Sequence, residues 1–170
     1  LKSSGKGAII LPHGVLFRGN AEARIRTKLL NLGLIKGIIG LPANLFYGTG
    51  IPACIIIIDK EHAQTAQFAE DGTNQVISGG SVFMIDASRG FIKDGNKNRL
   101  REQDIHKIID TFTKQEEIPH YSRMVRLSEI AAQDYNLNLP RYIDSGEVED
   151  LQDLAAHLYG GIPAHLSLIH

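Results

Sequence analysis

The sequence predicts an α/β fold: a mostly parallel sheet with one reversed strand near its edge, covered by helices and followed by a helical carboxy-terminal extension. Three observations carry that expectation. Short aliphatic runs bounded by Gly or Pro recur at residues 7–12, 34–41 and 53–59, the signature of buried strands. A stretch with helical periodicity separates the first two runs, so those strands form a crossover pair and run parallel. The second and third runs are joined only through residues 42–52. A parallel crossover needs a dozen residues or more, so that pair runs antiparallel.

The elements follow in order. The first helix is expected over residues 21–32, with Ile25, Leu29 and Leu32 on one face and Glu22, Arg26 and Lys28 between them. Asn20 is its expected N-cap and Gly33 its C-cap. Residues 61–80 are polar and read as an excursion, 81–87 as a short strand, and the Gly-, Asn- and Lys-rich stretch 88–99 as a loop. Residues 100–114 form a helix with Ile105, Ile108, Ile109 and Phe112 on one face, and 127–132 a short helix. Residues 134–142 have no period and should be irregular, while 148–158 read as an acidic amphipathic helix followed by a tail. This divides the chain into a sheet domain, 1–90, and a helical extension with strap, 91–170, a candidate partner interface.

Composition bounds the function. With 170 residues, 43% of them hydrophobic, the chain suits one domain or a half-domain with an extension. Aromatics are 6% and Trp is absent, so aliphatics must fill the core. A net charge of -1 excludes a uniformly basic nucleic-acid binder but not a local basic face. The single Cys excludes an internal disulfide and fits a reducing, cytoplasmic setting. The longest aliphatic run, 55–58, is far short of the ~20 residues that span a membrane. The polar start, Leu1-Lys2-Ser3-Ser4-Gly5, has no signal-peptide character. It leads almost at once into a strand, as if the chain began inside a larger fold. Such a piece alone would leave a sheet edge bare, so further strands are expected on the amino-terminal side, and self-association is expected of the isolated piece.

The connection 42–52 is the most informative stretch. Phe46 and Tyr47 are adjacent aromatics in a Gly/Pro-bounded loop. Either they tuck under the sheet as a lid on the core, or they form a stacking platform for a planar ligand such as a base flipped from a duplex. Gly48-Thr49-Gly50 is not a nucleotide-binding fingerprint, because it runs into a strand instead of opening a helix. Its glycines let the loop turn sharply or approach a ligand. Residues Pro12, His13 and Gly14 leave the carboxyl end of the first strand, the edge where α/β sheets place ligands. His13 is a site residue or a structural one. No metal site is expected, since no second His lies at metal spacing and Cys54 lies inside a strand. Arg18, Arg24, Arg26 and Lys28 are basic residues near that edge, and Lys93, Lys97, Arg99 and Arg101 form a second set. Each set is a solvated face or a contact to nucleic-acid phosphates. Residues 134–142 read as an ordered strap held by side-chain hydrogen bonds.

Together, Leu11-Pro12-His13-Gly14-Val15-Leu16-Phe17-Arg18-Gly19, the stretch Ile39-Gly40-Leu41-Pro42-Ala43-Asn44-Leu45-Phe46-Tyr47-Gly48-Thr49-Gly50-Ile51-Pro52, and Tyr135-Asn136-Leu137-Asn138-Leu139-Pro140-Arg141-Tyr142 resemble the modification subunit of type I restriction–modification systems. The resemblance covers residues 5–160 and follows the family's order. It implies the carboxy-terminal half of a Rossmann-like, S-adenosylmethionine-dependent adenine-N6 DNA methyltransferase. The three strands would be its fifth, sixth and seventh. Phe46 would stand where related enzymes place the aromatic that stacks on the flipped adenine, with Tyr47 and Asn44 as neighbouring target-base candidates and Arg18, Arg24, Arg26, Lys28, Lys97 and Arg99 as phosphate candidates. The family's Gly-rich cofactor loop and Asn-Pro-Pro-Phe motif should precede residue 1, so these residues alone should neither bind the cofactor well nor methylate. The implied partners are DNA, a specificity subunit and a restriction subunit, with no membrane. The alternatives are an assembly segment for partner subunits, or half of an RNA or small-molecule methyltransferase.

Overall fold

A computed structural model describes residue 2, residues 4–61, residue 63 and residues 80–146. The interior of the expected 61–80 excursion and the expected helix at 148–158 lie outside the described residues. The elements are β1 (Lys6–Pro12), α1 (Asn20–Asn31), β2 (Ile35–Gly40), β3 (Ala53–Asp59), β4 (Ser81–Asp86), β5 (Ile92–Asp94), β6 (Lys97–Arg99), α2 (Glu102–Lys114), β7 (Ser122–Arg126) and α3 (Leu127–Ala132), with short 3-10 turns at His13–Leu16 and Leu139–Arg141. Five strands make one sheet in the order β1-β3-β2-β4-β7, and β5 and β6 make a separate hairpin.

The fold class is α/β, but the sheet is not mostly parallel. β3 is antiparallel to β2, as its short connection requires, and also antiparallel to β1. β1 and β2 therefore share a direction without touching, because β3 occupies the gap between them. Only β2 and β4 form a parallel pair, and β7 pairs antiparallel with β4. Two strands are thus reversed, not one. β7 escapes sequence reading because Ser-Arg-Met-Val-Arg has no clean alternation, and its buried positions are Ser122 and Val125. The expected loop at 88–99 contains the β5–β6 hairpin, joined by a two-residue turn at Gly95 (φ 61°) and Asn96. Gly in the first central position suits such turns.

Two faces of the sheet carry the core. On one, Ile38, Cys54, Met84 and Val125 pack with Leu16, Leu30, Ile130, Leu137 and Leu139 from the helices and the carboxy-terminal strap. On the other, Ile39, Phe83 and Ile85 pack under Ile108 and Phe112 of α2. Each such aliphatic contributes roughly 1.5–3 kcal/mol by leaving water. Residues 122–143, expected in the extension, thus belong to the sheet and its core.

Several details depart from the sequence expectation. β1 is an edge strand among the described residues instead of a buried one, with Ile9 45% and Ile10 56% exposed. The buried face of α1 is rotated by one residue, since Arg26 and Leu30 are buried and Ile25 is exposed. α2 buries Ile108 but leaves Ile105 and Ile109 in solvent. Helix α1 starts at Asn20, which takes φ 57°, so it does not act as the expected cap. Its end does match expectation: the Gly33 N–H donates to Leu30 O at 2.9 Å and the Leu34 N–H to Leu29 O at 3.0 Å, the paired bonds of a Schellman motif.

The close seating of α2 depends on Gly37. A Cβ there would lie 2.3 Å from Cε2 of Phe112. Gly37→Ala should therefore lower unfolding free energy by about 1–3 kcal/mol, read by denaturant titration. Adding Phe112→Val should recover part of the loss; no recovery would place the strain elsewhere.

Candidate functional site

β1, β2 and β4 run in one direction, and β3 starts where β2 ends. Their register brings Pro12 opposite Ala53 and Gly40 opposite both Cys54 and Asp86. Three connections therefore leave the same sheet edge: 13–19 after β1, 41–52 between β2 and β3, and 87–91 leading from β4 to the hairpin. They are stitched together. The His13 N–H donates to Pro52 O at 3.0 Å, Ala87 N–H to Gly40 O at 2.9 Å, and Asn98 N–H to Asn44 O at 2.9 Å.

The central connection holds the aromatic pair outward. Phe46 is 40% exposed and Tyr47 93% exposed, so neither ring is a lid on the core. Asn44 (φ 55°) and Gly48 (φ 78°) take left-handed backbone conformations that fold the loop back. A Cβ on Gly50 would meet Asn44 Oδ1 at 2.9 Å, so Asn44 packs against Gly50. The hairpin braces the loop from one side. Asn98, buried, donates from Nδ2 to Ala43 O at 2.7 Å. Lys97 Nζ donates to Phe46 O at 2.5 Å and Thr49 O at 3.4 Å, and lies 5.9 Å from the Tyr47 ring centroid.

His13 is half-buried beside Phe17, their rings 5.8 Å apart in a T-shaped contact. Burial holds its pKa below the ordinary 6.5, and the Asp86 carboxylate opposes that shift. Gly14 is buried next to the Arg18 side chain. Cys54 is buried in β3, and burial pushes its thiol up to about 11, so it is no nucleophile at neutral pH.

The basic candidates separate by position. Arg26 is 7% exposed and is a structural residue. Its Nε donates to Tyr135 O at 2.7 Å, and one of its terminal nitrogens to Val15 O at 2.9 Å and Arg18 O at 3.1 Å. It ties α1, the first edge loop and the strap together and is not available to a phosphate. Lys97, partly exposed, donates to the loop carbonyls of Phe46 and Thr49. Arg99 pairs with Asp94 across the hairpin at 3.1 Å, and Arg101 with Asp104 at 2.8 Å. Arg18 is exposed on the first edge loop, and Arg24 and Lys28 are exposed along α1, Lys28 in its last turn.

Sequence reading did not single out Asn98, Asp86 or Tyr121. The last two line a cleft of about 580 Å³ with Arg89, Arg101, Asp104 and Lys107. There burial, with Asp104 and Asp86, pushes the Tyr121 hydroxyl up to about 12, and Lys107 Nζ sits 3.9 Å from its ring centroid. The Asp94-Gly95-Asn96 turn was the available signal for the hairpin, and so for Asn98.

A family model described as N-6 DNA Methylase matches residues 1–151. A type I restriction enzyme methylase subunit of Methanocaldococcus jannaschii is 35% identical over 156 residues, covering 90% of this chain and 25% of the relative. A similar subunit of Mycoplasma pneumoniae is 29% identical, over 89% of this chain and 25% of its own length. The chain spans about a quarter of the length of these curated relatives. The crystal structure of the methyltransferase subunit of a type I restriction-modification system from Streptococcus thermophilus superposes with TM-score 0.70 at 43% identity, covering 82% of this chain and 27% of that one.

Two stability measurements check this geometry. Arg26→Ala strands three carbonyls and should cost about 3 kcal/mol, whereas exposed Arg24→Ala should stay within about 0.5 kcal/mol; equal effects would refute the structural role of Arg26. Because the folded pKa of His13 is depressed, the unfolded chain binds the proton first. Stability should therefore be full above about pH 6.5 and fall below it. His13→Gln should flatten that fall in denaturant titrations run at several pH values.

Proposed function

The chain belongs to the N-6 DNA methylase family, and on that premise we propose that it forms the target-base side of a type I restriction–modification methyltransferase acting at adenine N6 in DNA. The observation that carries this reading is the braced 41–52 loop, which holds Phe46 and Tyr47 outward at the edge where three connections converge. An enzyme that reacts at a base must draw it from the duplex and hold it against an aromatic or apolar wall. Phe46, half-sunk beside its neighbours, is the wall; Tyr47, almost wholly exposed, is its rim; Asn44 gives the loop its shape through Gly50. Pro12, His13 and Gly14, with Gly48 and Gly50, border the same edge. Exposed Arg18, Arg24 and Lys28 lie where they can take backbone phosphates, contacts that fix register without reading sequence.

The methyl donor, S-adenosylmethionine in this reading, supplies the methyl group. Gly48-Thr49-Gly50 leads into β3 instead of opening a helix. The family resemblance assigns donor binding mainly to parts of the parent protein outside these residues. The flank of β1 that faces away from β3, with Ile9 and Ile10 exposed, is the natural place for the remainder of the sheet to pair, because an apolar edge invites another strand. DNA, a specificity subunit and a restriction subunit are the partners this assignment implies.

Base stacking is worth ~1–3 kcal/mol. In the full-length subunit assembled with its specificity partner, Phe46→Ala should therefore cut kcat/KM for methyl transfer to cognate DNA by about tenfold to a hundredfold. Transfer at the unaltered rate would remove Phe46 from the site.

A further inference from the structure

The 41–52 loop has little structure of its own. Its internal bonds are Asn44 N–H to Gly50 O at 3.4 Å and Ile51 N–H to the Thr49 hydroxyl at 3.1 Å. The stronger grip comes from β6. Asn98 holds the root of the loop by two bonds, main-chain N–H to Asn44 O and side-chain Nδ2 to Ala43 O, at 2.9 and 2.7 Å. Lys97 closes the turn that carries the rings, by donating to the carbonyls of Phe46 and Thr49. Asn98 is 6% exposed, so the root of the brace is built into the fold, while the Lys97 bond to Phe46 O lies at the surface. A protonated amine on carbonyl oxygens makes a charge-assisted bond, stronger than a neutral one.

We infer that Lys97 and Asn98 are positioning residues for the target base. They fix the backbone of the loop and leave the rings of Phe46 and Tyr47 free to receive it. The inference rests on the base-stacking reading above and extends it to two residues that need touch neither base nor phosphate. A loop held in its binding shape beforehand does not lose that freedom again when the ligand arrives. Removing the brace should therefore weaken engagement of the base and leave the phosphate contacts intact. The hairpin's turn is exposed, and its one buried side chain, Asn98, points at the loop.

The test uses the full-length methylase subunit in its assembled complex, on a cognate duplex with 2-aminopurine at the target adenine. Lys97→Met keeps the length of the side chain and deletes the donor; Lys97→Arg keeps a donor; Asn98→Ala removes the root bond; Phe46→Ala serves as reference. Amide hydrogen exchange at Asn44, Ile51 and Asn98, whose N–H groups donate within the loop or to it, reads the brace whatever the loop binds. Lys97→Met should speed that exchange and raise the dissociation constant read from the 2-aminopurine signal about tenfold, equivalent to about 1.4 kcal/mol. Lys97→Arg should restore most of both. The slope of log K against log salt should not change, whereas loss of a phosphate contact would reduce it by about 0.9. Unaltered exchange in Lys97→Met, or a reduced salt slope, overturns the inference, even if Asn98→Ala fails to fold. Faster exchange in Lys97→Met, with Phe46→Ala leaving the 2-aminopurine signal intact, upholds the brace and refutes the stacking reading.

Discussion

The position of β3 governs the rest of the molecule. It lies between β1 and β2 and opposes both, so each of its backbone groups along the shared register has a partner strand on either side. This one arrangement puts the start of β3 at the ends of β1, β2 and β4. The connections that leave those ends have nowhere else to gather. Had β1 and β2 been neighbours, the 41–52 loop would have led β3 to a different place, and His13 could not have met Pro52.

A second constraint acts at that edge, where fixed backbone and free side chains are combined. Arg26 anchors the first edge loop and the strap from below with three bonds to carbonyls. Lys97 and Asn98 anchor the central loop from the side. In both cases side-chain donors satisfy carbonyls that no helix or sheet ladder reaches, and for the part-buried ones, those held by Arg26 and Asn98, an unpaired carbonyl would be costly. The aromatic rings bear none of that work and remain outside. The charge that looks like a nucleic-acid patch in the sequence is thus divided: part is consumed by architecture, and Arg18, Arg24 and Lys28 stay at the surface.

Much of this was legible in the residues. The strands at 7–12, 34–41 and 53–59, the helix between the first two, and the reversal of the third follow from local periodicity and from one short connection. The convergence of Pro12, His13 and the aromatic loop follows from strand direction. What was not legible depends on non-local pairing. Strand order is set by which aliphatic faces meet, so the insertion of β3 beside β1 left no local mark. β7 pairs through a segment whose sequence alternates poorly. Arg26 reads the same in a helix whether it faces water or three carbonyls, and only the exposed Ile25 beside it reveals the rotation of the face. The role of Asn98 depends on a hairpin that a run of Gly, Asn and Lys disguises as a loop.

Reception of the target base by the 41–52 loop is the claim on which the functional reading stands. Photo-cross-linking tests it most directly, with the full-length assembled methyltransferase on a cognate duplex carrying 5-iodouracil in place of the target adenine. An adduct within residues 41–52, at Phe46 or Tyr47, is the expected result. An efficient adduct that maps elsewhere in the assembly, with none in this loop, would contradict it.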